Sequence, residues 1–161
     1  MEEQDPNLEA KFPKLRNGGY RITSPKDKKY NCVAYNIGNP TRNWNWMPYP
    51  TGGYYWPPGI EGDDTIESWT RVFIIHGYRI CENGDFEPGL EKVAIYSDEG
   101  GVPTHSAKQN ITTGMWMSKL GGSYDIEHSS FELLEGFDEH EYGAAVRFMA
   151  RPITQESAWN D

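Results

Sequence analysis

The chain has 161 residues, two cysteines and a formal net charge of −9, enough for one domain with its own core and no need of a disulfide framework or structural metal. No basic stripe offsets the negative charge, so nucleic acid and anionic membrane surfaces are not expected partners. The chain opens without an apolar segment and has no stretch long enough to span a bilayer, so neither a signal peptide nor a transmembrane helix is expected and the setting is read as cytoplasmic.

Residues 1–15 are acidic and then mixed, without periodicity, and are expected to be a flexible terminus, followed by a single α+β domain over 16–161. At Tyr30-Asn31-Cys32-Val33-Ala34-Tyr35 a loop turns into a short helix. Asn31 is a good N-cap and Gly38-Asn39-Pro40 a strong stop, so the helix runs from Cys32 to Ile37. Residues 38–65 form a long irregular stretch rich in Trp, Tyr, Pro and Gly, which is expected to be functional or packed by its own side chains. From Ile66 to Cys81 the spacing predicts a helix, with Thr65 as N-cap and Trp69, Val72, Phe73, His76 and Ile80 on one face; Gly77 weakens it. Strands are predicted at Lys92–Tyr96, Val102–Lys108, Met115–Leu120 and Ala144–Ala150, separated by Gly-bearing turns. Helical features come first and an antiparallel meander second. The predicted architecture is therefore α+β: short N-terminal helices packed on a four- to five-stranded antiparallel sheet.

A cysteine at a helix N-terminus has a lowered pKa, because unpaired N–H groups and the helix dipole favour the thiolate. Cys32 is thus the candidate nucleophile; its plainer reading is a small buried apolar residue. A nucleophilic cysteine needs a base, and the base an orienting partner. His105, held mid-strand in Thr104-His105-Ser106-Ala107, is the candidate base. Of the other histidines, His76 reads as a packed core residue and His140 as exposed in an acidic run, while His128 reads as a supporting group or a loop residue. Ser118 and Asp125 are both candidates to orient His105, Asp125 being chemically the stronger because a carboxylate stabilises an imidazolium. The Cys32 backbone N–H is the expected oxyanion donor. Asn31 is both the N-cap and the nearest side-chain donor, two roles that compete. Trp44, Trp46 and Trp56 would line a substrate cleft, with Lys92, Trp116, Lys119 and His128 as further candidate contacts. No cofactor is implied, and no metal: Asp63-Asp64 is a lone acidic pair, and no His/Cys spacing fits zinc.

A helix opening with cysteine, followed by an antiparallel sheet bearing histidine, resembles the papain-like cysteine peptidases and amidases, in style the NlpC-type cell-wall peptidases. Residues 30–150 also resemble a group of small uncharacterised bacterial proteins with an Asn-Cys-x-Ala motif, here Asn31 to Ala34. The group's further motifs fall at Glu91 to Tyr96, at Thr104-His105 and at Trp116 to Gly121. One departure stands out. The NlpC-type strand opens on its catalytic histidine, whereas here Lys92 opens Lys92-Val93-Ala94-Ile95-Tyr96, and His105 falls where the orienting residue would be. Two expectations follow. One is a thiol hydrolase cleaving an amide, isopeptide or thioester bond of a peptide or protein substrate through Cys32 and His105. The other is a non-catalytic binding domain on the same scaffold, using residues 44–58 to recognise a peptide, glycan or protein.

Overall fold

Every residue from Glu91 to Ser97 is buried along strand β5 (Leu90–Ser97), a continuity of burial that requires cover on both faces of the sheet. The structure, a computed structural model, describes residues 4–24, 43–44, 54–55, 65–120, 125–138 and 141–153. Around β5 lie β1 (Tyr20–Ser24), β4 (Arg79–Cys81), β6 (Pro103–Gln109), β7 (Trp116–Lys119), β8 (Asp125–His128) and β9 (Ala144–Pro152). They form one seven-stranded sheet in the order β1-β8-β7-β6-β5-β9-β4, each neighbouring pair antiparallel. A separate two-residue parallel pairing joins β2 (Asn43–Trp44) to β3 (Tyr54–Tyr55).

The papain-like α+β layout is thereby corrected. The molecule is mostly antiparallel sheet, of seven strands rather than four or five, with few and short helices. The added strands are β1, β4 and β8, whose residues show no local alternation that stands out in sequence. The helix expected over Cys32–Ile37 lies outside the described residues. No helix among the described residues is long and apolar enough to cross a membrane.

Residues 4–15, expected to belong to a flexible terminus, instead carry α1 (Pro6–Lys11) and the start of the one-turn α2 (Leu15–Gly18). Asp5 caps α1 by accepting from the Asn7 N–H at 2.8 Å. Leu8, Phe12 and Leu15 are buried in a cluster with Tyr20, Ile22, Ala94, Tyr96, Ala107, Trp116 and Ile126. By the pleat and the strand registers, these strand residues share one face of the sheet.

The helix predicted from Ile66 is α3 (Ile66–Ile75). Thr65 caps it as expected, its Oγ1 accepting from the Ser68 N–H at 3.1 Å, and Trp69, Val72 and Phe73 are buried. It stops six residues earlier than the spacing implied. Gly77 takes φ +95°, a conformation that favours glycine and turns the chain into β4. Ile80 therefore lies on an edge strand, 59% exposed, and His76 ends the helix rather than lining its apolar face. The junction is fastened to the sheet: Tyr78 donates to Glu91 at 2.9 Å, Arg151 pairs with Glu91, and Arg151 donates to the His76 carbonyl at 2.6 Å.

Gly143, just before β9, has φ +82°, and a Cβ there would run into the Ser97 carbonyl. It exchanges backbone hydrogen bonds with Gly136 at 2.7 and 2.8 Å, which sets the course of the segment carrying Tyr142. Gly89 has φ +93° but faces open space. Gly89→Ala should cost only the backbone penalty, about 1–2 kcal/mol, and Gly143→Ala at least about 3 kcal/mol. Urea unfolding of the two variants tests this, and equal midpoints would contradict it.

Candidate functional site

Three adjacent strands each place one polar side chain on the face that holds the aliphatic and aromatic core. Trp116 of β7 stands opposite His128 of β8, and Ser118 opposite Ile126. Lys108 of β6 pairs with Met117, so Ala107 and His105 share the face of Ser118. There the side chains form a buried chain. His105 Nε2 lies 3.0 Å from Ser118 Oγ, Ser118 Oγ lies 2.8 Å from His128 Nε2, and His128 Nδ1 lies 2.8 Å from the Ser130 carbonyl. His105, Ser118 and His128 are at most 1% exposed.

The direction of the chain is set at its far end. A carbonyl only accepts, so His128 Nδ1 carries the hydrogen and its Nε2 the lone pair. The Ser118 hydroxyl must then donate to His128 Nε2, and its oxygen accepts from the Nε2–H of His105. His105 is left with its lone pair on Nδ1. Burial pushes His105 well below the usual histidine range, with His128 a smaller second cause, and takes His128 down to about 4, partly offset by its bond to Ser130. Both rings are therefore neutral at pH 7, as this hydrogen-bond pattern requires.

Aromatic rings hold His105 in place. Tyr142 stacks on it at 4.2 Å with an interplanar angle of 5°, and Tyr96 lies 5.3 Å away. The Tyr96 hydroxyl donates to the Phe131 carbonyl at 2.6 Å. Beside this segment a cavity of about 420 Å³ is lined by Asp98, Thr104, Phe137, Asp138 and Glu141, among others. Two of its acids serve their own turns: Asp98 accepts from the Gly100 and Val102 N–H groups and Glu141 from the Asp138 N–H.

Of the candidate residues, the structure brings together His105, Ser118 and His128. Asp125 is not their partner. It alternates with Ile126 and so points to the opposite face of the sheet. Trp116 is no cleft wall but a core residue, 3% exposed and edge-on to Phe131 at 5.9 Å. Lys92 does not take the place of a base. It shares the face of Tyr96, the residue paired with His105, but lies four residues away along β5, roughly 13 Å. Its ammonium, with the side chain 1% exposed, is held by Glu87 at 2.7 Å and the Asn83 carbonyl at 3.1 Å. The backbone of Lys119 pairs with Asp125, and that of Trp44 belongs to β2. Asn31, Cys32, Trp46, Trp56 and His140 lie outside the described residues. The free Cys81 donates to the Asn83 carbonyl at 3.4 Å, and burial pushes its thiol pKa up, against the nearby Lys92. Among the described residues, no group of three or more His, Cys, Asp and Glu could hold a metal ion.

His128, read from sequence as a supporting group or a loop residue, stands in the chain beside Ser118; the stack of Tyr142 on the His105 ring was not read from sequence. Tyr142 precedes β9 and shares no local pattern with His105, so their contact arises only in the fold.

These residues define a buried His–Ser–His chain on one face of an antiparallel sheet. The family model described as "Domain of unknown function (DUF7689)" matches residues 21–150, and the chain belongs to that family. No curated protein and no solved structure matches it.

The neutral histidines make stability depend on pH. Below about 6.5 the unfolded chain protonates both rings while the folded protein resists, so the unfolded state binds more protons and stability falls with falling pH. The histidine contribution is complete above 6.5 and is lost progressively as the pH falls through 6.5 towards His128's folded value of about 4. His128 alone accounts for about 3 kcal/mol over that span. Urea midpoints should drop between pH 7 and pH 5, and less steeply in His128→Gln. A wild-type midpoint unchanged over this range would contradict neutral buried rings.

Proposed function

We propose that the protein is a thiol hydrolase in which Cys32 is the nucleophile and His105 the base, acting on an amide, isopeptide or thioester bond. The observation that carries this reading is the orientation of His105: its Nε2–H is committed to Ser118, which leaves the basic lone pair on Nδ1. Orienting the base through one ring nitrogen so that the other can take a proton is what nucleophilic catalysis by a thiol requires. Ser118, rather than Asp125, is the orienting residue.

In this mechanism Nδ1 of His105 takes the proton from the Cys32 thiol and the thiolate attacks the carbonyl carbon. The tetrahedral oxyanion is met by the Cys32 backbone N–H, the donor expected from the sequence. On collapse the leaving amine or thiol takes the proton from Nδ1, leaving an acyl-thioester on Cys32. Water, deprotonated by the same nitrogen, then releases the acid and restores the thiol. A buried imidazole is a weak base until a negative partner forms beside it, and the thiolate is that partner. The Tyr142 ring face favours the transient positive charge.

The reading is tested by alkylating the protein with iodoacetamide and resolving Cys32 from Cys81 by mass spectrometry. At pH 6 Cys32 should react at least roughly tenfold faster than free cysteine, lose that advantage in His105→Ala, and outpace Cys81, whose thiol is shifted the other way. A Cys32 no faster than free cysteine would overturn the hydrolase reading in favour of a binding domain on the same scaffold.

A further inference from the structure

We infer that His128 is the far end of a proton relay, so that a proton taken up at Nδ1 of His105 is passed through the Ser118 hydroxyl and its charge comes to rest on His128. The inference rests on the proposed hydrolase only for the source of that proton; the relay itself is a property of the three side chains. The usual partner of a catalytic imidazole is a carboxylate that receives no proton. Here the place is taken by a hydroxyl, which can accept and donate at once, backed by a second imidazole with an open lone pair. Both links, at 3.0 and 2.8 Å, are of ordinary hydrogen-bond length and removed from water.

The transfer balances without any outside reactant. When a proton binds Nδ1 of His105, the Nε2 proton of that ring moves to Ser118 Oγ as the Ser118 hydroxyl proton moves to Nε2 of His128. His105 is then neutral again, as the Nδ1–H tautomer with its lone pair on Nε2. Ser118 is again a hydroxyl, now accepting from His128 and donating to His105. His128 is an imidazolium that donates from both nitrogens, one bond running to the Ser130 carbonyl, and such a bond strengthens when its donor is charged. No broken hydrogen bond is left in either state, and the charge has moved two strands away from His105, from β6 across β7 to β8. The Ser130 bond also favours the charged form of His128 against the effect of burial.

Among the described residues, the titratable groups facing the pair are phenols: Tyr20 of β1, which stands opposite His128 in register, Tyr96 of β5, and Tyr142 before β9. Tyr20 is pushed up to about 12 and Tyr96 well above the phenol range, both mainly by burial, so neither changes charge where the histidines do. Carboxylates act on these phenols: Glu9 accepts from the Tyr20 hydroxyl at 2.7 Å, and Asp5 lies beside it. Glu135 acts on Tyr96. His128 is thus a positioning residue whose role is to store charge.

The test is a titration of the imidazole ¹⁵N and ¹H signals of the full-length, ¹⁵N-histidine-labelled protein from pH 8 to 3, a range that passes through His128's folded value of about 4. As protons bind, both nitrogens of His128 should move toward imidazolium values while His105 exchanges tautomers, Nδ1 becoming protonated and Nε2 deprotonated with one shared midpoint. In Ser118→Ala the exchange should vanish and the rings titrate separately; Ser118→Thr, which keeps the hydroxyl, should restore it. A wild-type His105 that becomes an imidazolium beside a neutral His128 would overturn the relay, as would midpoints unchanged by Ser118→Ala. The wild-type tautomer exchange decides the matter even where Ser118→Ala does not fold. Because no signal depends on Cys32, an unreactive Cys32 beside a working relay removes the hydrolase and leaves the relay, and the converse pair of results does the reverse.

Discussion

The Ser118 hydroxyl has one proton to give and stands between two imidazole nitrogens. Since His128 spends its Nδ1–H on the Ser130 carbonyl, that proton goes to His128, and the tautomer of His105 follows. The sheet has to deliver this geometry from three separate strands. A slip of one residue in β7 would turn Ser118 to the opposite face and bring a neighbour such as Met117 inward. The registers of β6, β7 and β8 are therefore part of the site, and they are held by the continuous burial of β5 and by Ala107, Trp116 and Ile126 on the same face.

The two faces of the sheet handle buried polarity differently. Under α3, Glu91 is buried as a charge and matched by Arg151 and the Tyr78 hydroxyl, with Arg151 also stacked over the Tyr78 ring at 4.4 Å. That cluster fastens the helix end to β5 and β9, and breaking it from one side would strand a charge. On the opposite face, away from the Lys92 ammonium at the other end of β5, the histidines buried among the aromatic rings are neutral imidazoles. A neutral ring can be buried at modest cost if its hydrogen bonds are made, and it retains the capacity to take a proton. Lys92 belongs to the fastening class: its ammonium closes the 83–87 turn through Glu87 and Asn83 and stands well away from His105.

The strands β5, β6, β7 and β9 were legible in the sequence because runs of strand-forming residues are bracketed by glycine-bearing turns. Predicted Lys92–Tyr96 lies inside Leu90–Ser97, and predicted Met115–Leu120 brackets Trp116–Lys119. The strands β1 and β8 were not legible. Tyr20–Ser24 and Asp125–His128 acquire their strand character only by pairing with each other and with β7, a contact 100 residues apart in sequence that no local pattern carries. The helix from Thr65 was found at its cap and overrun at its end, because the apolar spacing continues through Ile80 while Gly77 has already turned the chain. His105 and Ser118 were both legible as candidates. The choice between Ser118 and Asp125 was not, since carboxylate chemistry favoured Asp125 and the pleat, visible only once β8 was known to exist, assigns it to the other face. Lys92 misled for a similar reason: a motif alignment carries no distance along the strand.

The central claim is that the lone pair on Nδ1 of His105 serves the thiol of Cys32. The most direct measurement is the Cys32 Sγ to His105 Nδ1 distance in a crystal structure of the full chain. The account predicts a separation of roughly 3–4 Å, within reach for proton transfer. A cysteine sulfur beyond roughly 7 Å, with another side chain's donor seated on Nδ1, would contradict it.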